Sequence, residues 1–213
     1  EKLANLTAAT FASESLVYRL AGLLDNRLAT LEKGVDNYYD LYQKGIEEYA
    51  TECAISKVYC SEVLAEVVDE VVQIHGGYGF VSEYPAERYY RDERINRIFE
   101  GTNEVNRLLI PGMILRKAMK GELPLQKEAM KALEGLMTPS FEEIDDSLPF
   151  AREKVLLKNL KAVFLLLAGA AVQKYLMRLQ DEQEILTAAA DIAIEIFALE
   201  SACLLYTSPS PRD

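Results

Sequence analysis

The chain has 213 residues, half of them hydrophobic, and its formal net charge is −11 with a sequence pI near 4.8. This acidic balance disfavours a nucleic-acid partner, which binds basic surfaces. No run of about 18 apolar residues predicts a membrane-spanning helix, and the first residues lack the basic start, apolar block and cleavage site of a signal peptide.

Cysteine and histidine usage disfavours a disulfide framework and a metal site. The three cysteines, Cys53, Cys60 and Cys203, are odd in number and show no C-x-x-C spacing. We therefore expect free thiols that act as small core residues in a reducing compartment. His75 is the one histidine, so a multi-histidine metal site is excluded.

The first part of the chain is predicted to be an antiparallel helical bundle without a sheet, over residues 1–121. Apolar residues recur at the helical period and predict long helices over 3–31 and 46–74. The stretch "EKGVDNYYD" breaks the pattern between them, and the glycines of "HGGYG" end the second helix. A short helix from Pro85 and another over 102–120 complete the predicted bundle.

The remainder is predicted to be an acidic linker followed by a helical extension. Residues 122–148 include most of "TPSFEEIDDSLPF", whose acids and prolines are typical of a linker or surface loop. Two long helices, over about 149–179 and 182–205, form the predicted extension at 149–203. The tail 204–213, "LLYTSPSPRD", loses the helical period, and we interpret it as non-native.

The block "AVFLLLAGAAV" is the most apolar part of the extension. Its eleven residues are too few to cross a bilayer, so a buried helix or a subunit contact is the first interpretation. We expect the two helices to pack as an antiparallel hairpin with an exposed turn at 181–184 and a leftover apolar strip. Basic residues around the block keep a membrane-surface role open: Lys154, Lys158, Lys161, Lys174 and Arg178.

Two short motifs have both a structural and a chemical interpretation. In "QIHGGYGF", Gly76 and Gly77 can simply end a helix, or their amides can face a phosphate beside the polar side chain of Gln73. In "RIFEGTNEV", Thr102 can cap a helix whose positive end favours a nearby acid. Alternatively, Glu100 can be held against the preceding apolar pair and serve as a general base.

Taken together, residues 73–107 closely resemble the acyl-CoA dehydrogenase family. The family's pattern is a Gln, a glycine pair, a Tyr-Pro, an Arg-Asp and a Tyr- or Phe-Glu-Gly-Thr, and all are present in that order and spacing. The resemblance extends more loosely over 1–203. It implies the all-α C-terminal part of such an enzyme, and 149–203 resembles the extra region of the very-long-chain members.

The resemblance implies a role for each matching residue. Glu100 would remove a proton beside the thioester carbonyl of a long-chain fatty acyl-CoA, while a hydride leaves the next carbon for FAD, giving a trans-2-enoyl-CoA in fatty acid β-oxidation. Gly101 would lie against the substrate, and Thr102 and Glu104 would contact FAD. A further segment would reach the FAD of a neighbouring subunit in a homodimer: Gln73, Ile74, His75, Gly76 and Gly77.

Partners and location follow from the same resemblance. We expect an electron-transfer flavoprotein or similar acceptor, and a cytoplasmic protein in a bacterium or a mitochondrial one in a eukaryote. The family's N-terminal helical and β-domains are not in this sequence, so we expect the fragment alone to be inactive. A helical scaffold or assembly protein of the same family is the alternative, and the intact Glu100 favours the enzyme.

Overall fold

The computed structural model describes residues 1–137 and 144–207, and every regular element in that part of the chain is helical. The predicted all-α class is confirmed. The helices are α1 (Lys2–Ala29), α2 (Tyr38–Glu47), α3 (Ala50–His75), α4 (Gly77–Phe80), α5 (Ala86–Glu93), α6 (Asn103–Met119), α7 (Leu125–Met137), α8 (Ala151–Tyr175) and α9 (Gln183–Thr207). Short 3₁₀ segments follow α5 at Arg94–Arg97 and α8 at Leu176–Asp181.

The first of two compact units, Glu1–Asn106, is built around α1 and α3. These helices run antiparallel, since Lys2 forms an ion pair with Glu70 while Ser13 lies beside Cys60. Both helices have buried apolar side chains: Leu16, Leu20, Ala54, Ile55 and Val58. Each large aliphatic side chain buried in this way stabilises the fold by about 1.5–3 kcal/mol. α3 is thereby anchored in the core of this unit, and it is the element on which the candidate site is built.

The second unit, Arg107–Asp213, contains the predicted helical hairpin. α8 and α9 pack along each other, and Lys161 of α8 forms an ion pair with Glu200 of α9. The exposed residues Asp181, Gln183 and Glu184 lie at the turn between them, so the predicted antiparallel pairing and exposed turn are confirmed.

Two helices lie where the sequence indicated irregular structure. α2 begins inside "EKGVDNYYD", and α7 occupies much of 122–148. α2 has ten residues, is rich in tyrosines and is largely exposed. α7 is amphipathic, and its Ala129 Cβ lies 3.6 Å from the position that a Cβ on Gly169 of α8 would take. The acidic residues and prolines that follow α7 led us to predict a linker instead of this helix. Residues 138–143 of the predicted linker and 208–213 of the predicted non-native tail lie outside the described residues.

The expectation that no segment could span a membrane is wrong, because one helix has the length and composition to do so. α8 has 25 residues and is apolar enough to meet that criterion, because Val155, Leu156 and Leu157 extend the apolar block toward the N-terminus. The leftover apolar strip predicted on the hairpin is present on this helix, where several large side chains are exposed: Leu156, Val163, Leu167 and Val172.

Candidate active site

Glu100 lies in a strained turn between the 3₁₀ segment and α6. Its φ is +56°, and that of the following Gly101 is +78°. The left-handed region suits glycine, but a residue with a side chain is held there at a cost of about 1–3 kcal/mol. The surrounding structure therefore has to impose this conformation on Glu100, whose side chain is exposed. Strain of this kind is concentrated at functional sites.

Thr102 ends the turn by capping α6. Its hydroxyl accepts a hydrogen bond from the Val105 amide at 3.3 Å, and its carbonyl accepts one from the Asn106 amide at 2.9 Å. This is the N-cap that the sequence predicted. Glu104 is exposed in the first turn of α6, where a negative charge is favourable.

A lysine from α3 holds the carbonyl side of the same turn. Lys57 Nζ donates to the Gly101 carbonyl at 2.8 Å and to Asn103 Oδ1 at 2.6 Å. Asn106 Nδ2 donates to the same Gly101 carbonyl at 2.8 Å. Burial lowers the pKa of the Lys57 ammonium, and the carboxylates of Glu104, Glu62 and Glu100 offset part of that effect.

Asn103 is buried and links this turn to the next turn of α3. Its Nδ2 donates to Ser61 Oγ at 2.9 Å and to Glu62 Oε1 at 3.1 Å. The roles of Lys57, Ser61 and Asn103 were not predicted from the sequence. A local signal was present, because Lys57 and Ser61 are polar residues four apart on a mostly apolar helix. Their partner is more than forty residues away along the chain, and no local pattern identifies it.

The predicted cofactor segment, Gln73 to Gly77, lies at the C-terminal end of α3. Gly76 has a φ of +59°, and its amide donates to the Gln73 carbonyl, so it ends the helix as predicted. Gln73 is exposed, and a Cβ at Gly76 or Gly77 would meet nothing within 4 Å. A flat ligand can therefore approach the backbone here. His75 Nδ1 lies 2.7 Å from the Val71 carbonyl, which fits a histidine at a helix end.

The two groups of predicted site residues are not brought together within this chain. Lys57, which touches the Glu100 turn, and Gln73 are sixteen residues apart on the straight run of α3. At 1.5 Å per residue, that is about 24 Å along the helix axis. A single small ligand cannot contact both groups, although two copies of a larger ligand can each contact one.

The apolar pair before Glu100 does not shield it within this chain. Ile98 is 49% exposed and Phe99 is 48% exposed. The expectation that these side chains exclude water around the carboxylate is therefore not met by residues 1–137 and 144–207 alone. Shielding requires a further surface, whether protein or ligand, that packs on Ile98 and Phe99.

Comparison with known proteins identifies the family. A family model described as the acyl-CoA dehydrogenase C-terminal domain matches residues 1–114, and a second model with the same description matches 159–208. The chain belongs to the acyl-CoA dehydrogenase family. A solved acyl-CoA dehydrogenase from Bacillus anthracis, complexed with FAD, aligns with a TM-score of 0.92 and 54% identity over 95% of this chain and 34% of that one.

Curated acyl-CoA dehydrogenase relatives agree with this assignment. A probable acyl-CoA dehydrogenase of Bacillus subtilis is 47% identical over 96% of this chain and 34% of its own length. The subunit CarC of a caffeyl-CoA reductase-Etf complex from Acetobacterium woodii is 36% identical over 54% of this chain and 25% of its own length. The chain thus spans about a third or less of the length of these relatives.

Proposed function

We propose that this chain is the C-terminal part of an FAD-dependent acyl-CoA dehydrogenase that converts a long-chain fatty acyl-CoA to a trans-2-enoyl-CoA in fatty acid β-oxidation. The observation that carries the proposal is the strained turn at Glu100, where a buried polar network holds the backbone of the turn and the carboxylate is exposed, in a member of this family. The resemblance of residues 149–203 to the extra region of the very-long-chain members supports the long-chain preference.

Glu100 is the residue that would move the proton. Its carboxylate takes the proton from the carbon beside the thioester carbonyl, and the electron pair of that C–H bond becomes part of the new double bond. FAD, when bound, accepts the hydride that leaves the neighbouring carbon. The two hydrogens are thereby accounted for, one as a proton on Glu100 and one as a hydride on the cofactor.

The remainder of the turn serves to place the substrate. Gly101 has no side chain, so an acyl thioester can lie against its backbone, and the nearest atom to a Cβ there would be Asn106 Nδ2 at 3.2 Å. In the full-length protein, the acyl chain and the other domains would cover Ile98 and Phe99. Covering them removes water from the carboxylate, which the reaction needs.

The cofactor contacts support a homodimer. Thr102 and Glu104 lie beside the Glu100 turn. Gln73, with the open backbone at Gly76 and Gly77, lies about 24 Å along the α3 axis from Lys57, which touches that turn. We assign the first group to the FAD of the same subunit and the second to the FAD of its neighbour. The FAD bound to the Bacillus anthracis relative supports this cofactor.

The electron acceptor and the location belong to the same proposal. The Acetobacterium relative is named as part of an Etf complex, which supports an electron-transfer flavoprotein as acceptor. The location we propose is the cytoplasm of a bacterium or the mitochondrion of a eukaryote.

We further propose a peripheral membrane contact through residues 149–203. The exposed strip on α8 includes Leu156, Val163 and Leu167, and Lys154 and Lys158 lie on the same helix. The full-length protein should sediment with anionic vesicles, and deletion of 149–203 should abolish that sedimentation. Unchanged sedimentation after the deletion would place the contact elsewhere, and no sedimentation of the parent would contradict the proposal.

The enzyme proposal is tested by the flavin absorption band of the full-length protein. Anaerobic addition of a long-chain acyl-CoA should bleach the band of the bound flavin, because the hydride reduces it. A scaffold protein predicts either no bound flavin or a band that acyl-CoA leaves unchanged. A chain-length series under the same conditions tests the long-chain preference separately.

A further inference from the structure

Lys57 is bonded to the one turn of the fold on which the proposed chemistry depends. Its ammonium contacts the Gly101 carbonyl and Asn103 Oδ1, at 2.8 and 2.6 Å. Lys57 projects from the middle of α3, whose neighbouring residue Val58 is fully buried. A half-buried side chain from the middle of α3 therefore fixes an otherwise exposed loop.

The Gly101 carbonyl accepts two hydrogen bonds from different directions. Lys57 donates from α3, and Asn106 Nδ2 donates at 2.8 Å from the first turn of α6. Two donors on one oxygen fix the plane of the peptide that follows Gly101. Since Gly101 has almost free backbone rotation, this peptide is where the turn would otherwise relax.

Asn103 fixes the position of the lysine in turn. The amide nitrogen of Asn103 donates to Ser61 Oγ at 2.9 Å and to Glu62 Oε1 at 3.1 Å, so its oxygen faces Lys57. Asn103 is 2% exposed and Ser61 is 8% exposed, which keeps water from replacing either partner. The ammonium group is thereby held at one place rather than sampling the surface.

Glu100 precedes this clamped peptide and has the unfavourable left-handed backbone. A non-glycine residue remains in that conformation only when its surroundings enforce it. Among the described residues no hydrogen bond holds the Glu100 side chain itself, so the backbone on either side enforces the conformation. The Phe99 amide donates to the Ile95 carbonyl at 3.1 Å before Glu100, and Lys57 holds the Gly101 carbonyl after it.

We propose that Lys57 is a positioning residue for Glu100, which acts by clamping the Gly101 carbonyl together with Asn103 and so presenting the carboxylate to the α-carbon of the substrate. This inference rests on the proposed function, because it assigns Glu100 as the base. Lys57 itself touches neither substrate nor cofactor in this account. Its removal should slow proton abstraction and leave substrate binding largely intact.

The test uses the full-length, FAD-loaded protein with three substitutions. Lys57→Met keeps the aliphatic length and removes the donor, and Lys57→Arg restores a cation with several N–H groups. Lys44→Met, on the exposed surface of α2, is the matched control. The readouts are the flavin bleaching rate at saturating acyl-CoA and the acyl-CoA concentration that gives half of that rate.

We expect Lys57→Met to slow bleaching at saturation by about tenfold or more, since small displacements of a catalytic group have effects of this size. The half-saturating concentration should stay within about threefold of the parent, because uniform substrate binding is retained. Lys57→Arg should recover part of the rate, and Lys44→Met should match the parent. Bleaching by Lys57→Met at the parental rate would overturn the positioning role and leave the proposed function standing.

A second probe separates proton abstraction from hydride transfer. An acyl-CoA with sulfur in place of the β-carbon can lose its α-proton but has no hydride to give. The resulting anion beside oxidised flavin should produce a long-wavelength band, and Lys57→Met should weaken it or slow its appearance. An unchanged band would overturn the inference even if bleaching were slower.

Two further outcomes are decisive. If the purified Lys57→Met variant lacks FAD, the Asn103→Ala variant is measured instead, with the same expected rates. Asn103→Ala removes the side-chain oxygen that orients the Lys57 ammonium. If the parent binds FAD but is not bleached by any acyl-CoA, the proposed function fails, and the positioning role fails with it.

Discussion

Glu93 is a carboxylate buried inside the N-terminal unit, and its counter-ion is Arg97 one helical turn later. Arg97 Nε lies 3.2 Å from Glu93 Oε1, with 3% of the Glu93 side chain exposed and 35% of the Arg97 side chain exposed. Neither atom has a well-aligned hydrogen bond. The contact between these two atoms is therefore held by charge attraction rather than by directional bonding.

Removing Arg97 should leave a buried carboxylate without compensation. We predict that Arg97→Met lowers the free energy of unfolding by about 1–3 kcal/mol, below the range for a fully buried pair because Arg97 is partly exposed. Arg94→Met removes an exposed arginine from the same segment and should change stability by less than about 0.5 kcal/mol. Urea unfolding followed by far-ultraviolet circular dichroism measures both, and equal midpoints would contradict the prediction.

The three cysteines form no disulfide, and their surroundings disfavour the reactive thiolate. Burial raises the pKa of Cys53, Cys60 and Cys203, and the Glu52 carboxylate adds to the effect at Cys53. Because folding raises these pKa values, the folded state holds the protons more tightly. The associated stability is fully present below the pKa of an unfolded thiol, about 8.5, and is lost as pH rises through the folded pKa.

Thiol alkylation tests this directly. At a pH near 8, the folded chain should react with iodoacetamide at least about tenfold more slowly than the same chain in urea, since the thiolate is the reactive species. The unfolding midpoint should also fall as the pH is raised above about 8.5. A thiol that reacts equally fast in both states would show that its environment is not the buried one described.

At the scale of single residues, the sequence predicted the features that depend on residue type and nearby residues. Thr102 was identified as the cap of α6 from its type and place alone, and Gly76 as a helix end. The left-handed backbone of Glu100 was not predicted, because a glutamate has no local preference for it. It results from contacts with Lys57 and Asn106 that only the folded chain brings together.

At the scale of the elements, the approach of α4 to α3 is closer than a side chain allows. A Cβ on Gly79 would lie 2.4 Å from the Val72 carbonyl oxygen and 2.9 Å from His75 Cβ. The first contact is with backbone, which cannot rotate away. Gly79 therefore sets the distance between the end of α3 and the segment that follows the predicted cofactor residues.

We predict that Gly79→Ala destabilises the chain by about 1–3 kcal/mol, as overpacking does. Gly112→Ala is the matched control, because a Cβ there meets nothing within 4 Å and the residue lies inside α6. That control should be neutral or slightly stabilising, since alanine favours a helix. Equal unfolding midpoints for the two variants would show that α4 can move away from α3 without cost.

Helical periodicity predicted which face of a helix is apolar better than how much of that face is buried. On α1, the predicted inward residues Leu16 and Leu20 are buried, but Leu3 is 68% exposed and Phe11 is 39% exposed. A stripe shows which side of a helix is apolar, and it does not show how far along the helix a neighbour extends. α2 and α7 were not predicted, because the turn-forming residues beside each helix outweighed its short apolar stripe.

For the whole molecule, the all-α class followed from sequence because helical periods dominate and strand alternation is lacking. The arrangement at Glu100 did not follow, since it depends on contacts between residues more than forty positions apart. The family motif identified which glutamate matters. The structure adds how that glutamate is held: in a strained turn, by α3 on one side and the cap of α6 on the other.

The substitution Glu100→Gln in the full-length, FAD-loaded protein tests the central claim most directly. The amide keeps the size of the side chain and cannot accept the α-proton, so FAD should stay bound while acyl-CoA bleaches the flavin at least about a hundredfold more slowly. Glu14→Gln, at an exposed position of α1, should match the parent. Bleaching by Glu100→Gln within about tenfold of the parental rate would contradict the assignment of Glu100 as the base.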